Sequence, residues 1–302
     1  MPDFREEDEL NWKRALRSEL IKALNRNQRV KDEVYAQIGY YYSCYAPAFL
    51  YKYYSDKIER LETVKAGKMW YSAPCHFNDV FDCDIVIDEE RIFNSVLQMV
   101  PGKRQIRKGS SAWWRMKQEI SRDLRPLKTV FEDMKTSMGI SCFSETDDNL
   151  LMWAHYANNH SGMCVEYELL EINKQLNFSP VPVIYSDERT VLDWTNLDAA
   201  GEDAMHVFTE SITSKSQEWS YEKEWRIIRD HVACGANWDA EKKGALLDMI
   251  HPSSVILGCM AKPEFESMVR KYCEESEINL YKMKKDTYLY RLEKVPVLQF
   301  DR

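Results

Sequence analysis

Between Trp219 and Arg226 the chain reads WSYEKEWR, which brings two carboxylates, two cations and two indoles into eight positions. Read as a strand, the segment alternates its side chains between two faces. Glu222, Glu224 and Arg226 then share one face, and Tyr221, Lys223 and Trp225 share the other. Two acids beside a guanidinium suit general acid/base work or stabilisation of developing positive charge. The same pattern also describes a half-buried strand whose Arg226 only neutralises its neighbours.

Two further segments hold reactive groups. YSAPCHFNDVFD, from Tyr71 to Asp82, places Ser72, His76, Asn78, Asp79 and Asp82 in a Pro-containing loop after a strand. Such loops often position ligands, although Asn and Asp at this spacing also build turns through their own backbone bonds. SCFSETDDNLLMWAHYANNHSG, from Ser141 to Gly162, sets Asn149, Trp153 and Tyr156 on one face of a helical turn. His155 and His160 are candidate acids, bases or ligands, but a histidine among aromatic residues is more often a packing residue. Ser144 and His155 lack a GxSxG elbow. Asp79, Asp82 and Glu222 offer a nuclease-like acid set for Mg, yet Glu222 is followed directly by Lys223, without the usual one-residue gap. No Walker loop and no GxGxxG occurs, and no metal site is assigned.

These groups need a scaffold, and the 302 residues, 44% hydrophobic and 12% aromatic, are ample for a core. A net charge of -8 argues against broad nucleic-acid binding. The one basic strip, Lys103 to Lys108, reads as a solvated loop. Eight cysteines without CxxC or zinc-type spacing read as reduced thiols. The first thirty residues lack an apolar signal core, and no run approaches the roughly 18 apolar residues of a membrane span, so a cytoplasmic protein is expected.

Periodicity predicts helix from about Glu6 to Tyr42, strand at 49–54, helix at 56–65 stopped by Gly67, and strand at 68–72. Residues 90–138 read as helical with breaks at Pro101, Gly102 and Pro126. Strands follow at 139–144, 162–169 and 181–185, with a helical turn at 149–157 between the first two. A helix over 188–217, the WSYEKEWR strand, a strand at 254–258, a helix at 263–275 and strands at 278–283 and 287–292 complete the reading. The expected fold is α+β: a mixed or antiparallel β core flanked by helices. An N-terminal helical arm (1–45), offering a self-association surface for a homo-oligomer, precedes a single domain (46–302).

LYKYYSD at 50–56, MWYSAPCHFNDVFD at 69–82, CFSETDDNLLMWAHYANNHSGMCVEY at 142–167, WSYEKEWRII at 219–228 and VILG at 255–258 together resemble the bacterial family catalogued as domain of unknown function 2971, over roughly residues 48–292. Val80 stands where that family's FNDPFD-like motif carries Pro. The family label itself implies no activity. A second resemblance is to ADP-ribosyltransferases, with Lys52, Ser72 and Glu224 in the order of that family's basic, hydroxyl and acidic elements, and Glu222 forming a Glu-x-Glu pair. Lys52 replaces the family's usual Arg or His.

That second resemblance implies NAD as substrate, with ADP-ribose passed to a protein or nucleic-acid acceptor or to water, in a toxin or phage-defence setting. Glu224 would stabilise the oxocarbenium-like ribose and accept from a ribose hydroxyl. Glu222 would orient or deprotonate the nucleophile. Tyr71, Trp153 or Tyr156 would stack on a ring, Lys52 and Arg226 would meet the pyrophosphate, and Ser72 and Asn78 would line the cofactor site. Two alternatives stay open: a noncatalytic nucleotide- or partner-binding sensor, and a metal-dependent nuclease.

Overall fold

In the computed structural model, which describes residues 4–23, 28–99, 106–176, 179–192 and 202–300, hydrophobic periodicity and chain punctuation account for most elements. The chain opens with α1 (Phe4–Ala23) and α2 (Gln28–Tyr45), then β1 (Phe49–Tyr54), α3 (Ile58–Lys65) and β2 (Lys68–Ser72). Next come β3 (Val86–Ile87), α4 (Glu89–Met99), α5 (Ser111–Ser137), β4 (Met138–Ser144) and α6 (Leu150–Tyr156). β5 (Met163–Glu168), α7 (Leu169–Leu176), β6 (Val181–Pro182), β7 (Ile184–Ser186) and β8 (Val191–Leu192) follow. After α8 (Glu202–Ser211) and β9 (Ser214–Ser216), a 3-10 turn (Gln217–Glu222) leads into β10 (Glu224–Asp230), α9 (His231–Cys234), β11 (Trp238–Asp239) and β12 (Gly244–Asp248). β13 (Ser254–Leu257), α10 (Pro263–Glu275), β14 (Asn279–Lys285) and β15 (Leu292–Leu298) close the described chain. The fold is α+β, with a mixed sheet of mostly antiparallel strands.

The elements group into two units, residues 1–40, 73–138 and 184–217 in the first, and 41–72, 139–183 and 218–302 in the second. Residues 1–40 of the N-terminal arm fall in the first unit with residues 73–138 and 184–217, and residues 41–45 fall in the second.

The second unit holds the large sheet, in the order β11, β12, β2, β4, β1, β5, β13, β14, β15, with β10 pairing both β4 and β6. β13 and β14 run parallel, and α10 supplies the long crossover that a parallel pair needs. β13 (SVIL) is buried throughout, as expected of a strand with neighbours on both sides and covered faces. Trp153 is fully buried among Tyr53, Met152, Ala157, Cys164, Ile256, Met283 and Leu292. Its ring meets Tyr53 edge to face at 5.2 Å, and burying side chains of this size stabilises by about 1.5–3 kcal/mol each.

After α6 the backbone turns through three consecutive left-handed residues, Asn158, Asn159 and His160. Asn tolerates that region, whereas His160 is held there by its neighbours. His160 N donates to Trp153 O at 3.1 Å and His160 O accepts from Met260 N at 2.9 Å. Gly162 permits the approach, because a Cβ there would sit 2.0 Å from Tyr54 O. The ANNHSG part of the motif is therefore built for backbone packing.

The first unit is mainly helical. Phe93 of α4 meets Trp113 of α5 at 5.1 Å, and Phe131 of α5 stacks on Phe208 of α8 at 6.3 Å. Arg17 of α1 donates to Ser214 Oγ at 2.8 Å and Glu210 Oε1 at 3.0 Å. Two short parallel pairs, β3 with β8 and β7 with β9, tie its loops together.

Four expectations change. α5 runs through Pro126 without ending; its buried Met116, Leu124 and Phe131 outweigh the roughly 3 kcal/mol that an internal proline costs. The span 188–217 contains β8, α8 and β9 instead of one helix, and its residues 193–201 lie outside the described ones, as do Pro101, Gly102 and the start of the basic strip at 103–105. The last strand is 292–298, because Asp286 Oδ1 accepts from Tyr288 N and Leu289 N and makes 286–291 a turn. WSYEKEWR is not one strand: its first half is a 3-10 turn and Lys223 is left-handed, with φ 44°.

Candidate functional site

The turn at Lys223 decides the geometry of the two acids. Because the chain reverses there, Glu222 and Glu224 do not share a strand face as expected, and each carboxylate is served separately. Glu222 is buried at the end of the 3-10 turn, and its Oε1 accepts from Tyr156 OH at 2.5 Å. Its backbone oxygen accepts from Ser144 Oγ at 2.7 Å. Asn149 caps α6 through its side-chain oxygen and donates its amide to Tyr221 O at 3.1 Å. Glu145 N donates to Lys223 O at 3.1 Å, and Trp225 Nε1 donates to Glu145 Oε1 at 2.7 Å. The link from β4 to α6 thereby clamps the elbow that begins β10.

Glu224 and Arg226 do share a face of β10, as their spacing of two implies. Arg226 Nε donates to Glu224 Oε1 at 2.8 Å and Nη2 to Oε2 at 3.0 Å. This is the planar two-point grip that guanidinium geometry favours. Arg226 is 0% exposed and Glu224 4%, so neither charge is solvated and each depends on the other.

β4 brings a third charge to the pair. β1, β2 and β10 all pair with β4, through Tyr51 opposite Ser144 and Ser72 opposite Ile140. From β1, half-buried Lys52 donates to Cys142 O at 2.9 Å and lies 5.2 Å over the Phe143 ring. Burial lowers its ammonium pKa to about 8, Arg60 pushes it further down, and the Glu224 charge pulls it upward. Burial likewise pushes the Cys142 thiol well up, with the Glu224 charge second. Arg226 and Lys52 oppose the rise. Lys52, Cys142, Glu224 and Arg226 thus form one electrostatic cluster on strands far apart in sequence.

The other expected residues fall elsewhere. Tyr156 belongs to Glu222. Trp153 is 0% exposed and donates Nε1 to Asp147 O at 2.6 Å, so its faces are closed to a stacking ring. Tyr71 is 1% exposed, and burial raises its hydroxyl to about 12; it too is core. Ser72 is half-buried at the end of β2, opposite Gly244 of β12. Asn78 is exposed and belongs to the first unit. His155 is exposed beside Tyr156 and Tyr221. Among the described residues no three His, Cys, Asp or Glu side chains are grouped to hold a metal ion. Cys142 is not among the expected site residues, and Ser144 enters the sequence reading only as a nucleophile candidate without a GxSxG elbow; alternation along ISCFS is the available signal, and it does not reveal which strand lies across from it.

No described helix is long and apolar enough to cross a membrane. No curated protein and no solved structure matches the chain. Residues 152–227, which include Tyr156, Glu222, Glu224 and Arg226 but not Lys52, Tyr71, Ser72 or Asn78, match the family described as "Protein of unknown function (DUF2971)", and over that span the chain is similar to it.

Proposed function

We propose that the protein consumes NAD, transferring ADP-ribose to a macromolecule or hydrolysing the cofactor, with Glu224 as the catalytic carboxylate. The observation that carries this reading is the convergence on β4 of the strands bearing Lys52, Ser72 and Glu224, with Lys52 and Glu224 sharing the surroundings of Cys142. Cleaving the nicotinamide bond leaves positive charge on the ribose, and a fixed, poorly solvated carboxylate stabilises that charge more than a hydrated one. Arg226 holds Glu224 aimed through its two-point grip. Lys52 supplies the cation for the pyrophosphate, and Glu222, gripped by Tyr156, orients the incoming nucleophile. Substrate entry must loosen the Arg226 grip, since Glu224 is 4% exposed.

That same closure favours a second reading, a nucleotide- or partner-binding module without turnover, in which the ion pair only shapes the wall of a site. Incubation with NAD and cell extract, followed by mass analysis for free nicotinamide and for ADP-ribosylated macromolecules, separates the two. Product formation supports the enzyme. Saturable NAD binding with no product selects the module, and neither binding nor product removes NAD from both readings.

A further inference from the structure

The FNDVFD loop, unexplained by the cluster in the second unit, borders a cavity of about 230 Å³ built wholly from the first unit. Asp79 Oδ1 accepts from Phe81 N at 2.9 Å and so fixes the loop, while the Phe81 ring stays 57% exposed at the cavity edge. The part of the ring left open is an apolar surface that an occupant of the cavity can cover.

The rest of the wall is rich in hydroxyls. Ser186, Thr190, Ser214 and Ser216 all line it. Ser186 Oγ accepts from Glu188 N at 3.0 Å and Ser214 Oγ accepts from Arg17 at 2.8 Å. Each therefore still has a proton to donate. The Thr190 and Ser216 hydroxyls have no side-chain partner among the described residues.

The charges are already matched. Arg189 pairs with Asp84, and its guanidinium lies 5.2 Å over the Phe81 ring. Lys215, 5% exposed at its side chain, lies 3.5 Å from Asp82 Oδ2. Asp187 and Glu188 add two more acids to the lining. An incoming anion would meet neutralised cations and surplus carboxylates, so a phosphate-like ligand is disfavoured. A neutral ligand carrying several hydroxyls can exchange hydrogen bonds with the serines, the threonine and the carboxylates, and rest an apolar face on Phe81. The cavity is smaller than the roughly 300–1,000 Å³ of sites for drug-sized ligands, which suits an occupant of one sugar ring.

We propose that this cavity binds a neutral polyhydroxylated ligand of monosaccharide size, with Phe81 as its platform and Thr190 and Ser216 among its donors. The proposal concerns the first unit alone and is independent of the NAD reading. Titration calorimetry of the full chain with D-ribose, D-glucose and inorganic phosphate, each taken to tens of millimolar, tests it. The expected result is saturation by at least one of the two sugars and none by phosphate. Phe81→Ala, and separately Thr190→Val with Ser216→Ala, should each weaken sugar binding about tenfold. Both sets change side chains that are exposed or without hydrogen-bond partners, so circular dichroism should be unaltered. Saturation by phosphate alone, no saturation by either sugar, or unchanged sugar affinity in both variants would overturn the proposal.

Discussion

Arg226 and Arg189 each grip a carboxylate, Glu224 and Asp84 respectively, but the side-chain exposures are 0% and 4% in the first pair and 43% and 28% in the second. In the first, both ions have lost their water, and the planar two-point contact is part of what replaces it. In the second, water still solvates both partners and screens their attraction. Identical chemistry therefore has different consequences. The buried pair fixes where a carboxylate points and strongly resists losing one member, whereas the exposed pair can exchange partners at little cost. In the proposed function the first arrangement holds the reacting carboxylate, and the rim of the proposed binding cavity tolerates the second.

Arg226→Ala should break this contrast most severely. It removes the two-point partner of a desolvated Glu224, and about 3–5 kcal/mol of stability should be lost in urea unfolding. Replacing both members together, Glu224→Leu with Arg226→Met, should recover much of that loss, because no orphan charge remains. If the single variant proves as stable as the wild type, the pair is not desolvated as described.

Tyr156→Phe should cost less, about 1–3 kcal/mol, since it removes one donor from the buried Glu222 and leaves packing intact. Thermal unfolding of this variant beside Arg226→Ala ranks the two carboxylates.

Lys52 sharpens the comparison through pH. Its folded pKa, near 8, lies below the ordinary 10.5, so between those values the unfolded chain holds a proton that the folded state releases. Stability then rises with pH across that window, and the penalty of charging Lys52 is fully present below about 8. Lys52→Met should remove that part of the slope; an identical pH profile in wild type and variant would contradict the burial of its ammonium. Arg189→Ala should be the mildest change, below about 1 kcal/mol, as measured by chemical denaturation.

Much of the scaffold was legible because its cues are local. The aromatic run of β1, the buried run of β13, Gly67 after α3 and Pro263 at the start of α10 each act within a few residues of themselves. The pairing of Glu224 with Arg226 was legible for the same reason. The elbow before it was not, because the left-handed Lys223 follows from the contacts of Glu145, Asn149 and Ser144 with the turn, all distant in sequence. That the strands bearing Lys52 and Glu224 both flank β4 depends on pairings of β1 and β10 with it, which no single-chain pattern encodes. Trp153 and Tyr71 show the limit of reading aromatic residues: the side chain that would stack on a ligand is equally the one that fills a core. Pro126 is the converse case, a strong local breaker overruled by packing along α5.

The most direct test of the account is nicotinamide release from NAD by the wild type and by Glu224→Gln, with cell extract present and both proteins shown folded. The account predicts release by the wild type and a loss of at least a hundredfold in the variant, the scale expected when a group stabilising the transition state is neutralised. Equal release by both would remove Glu224 from the reaction, and no release by either would contradict turnover of NAD.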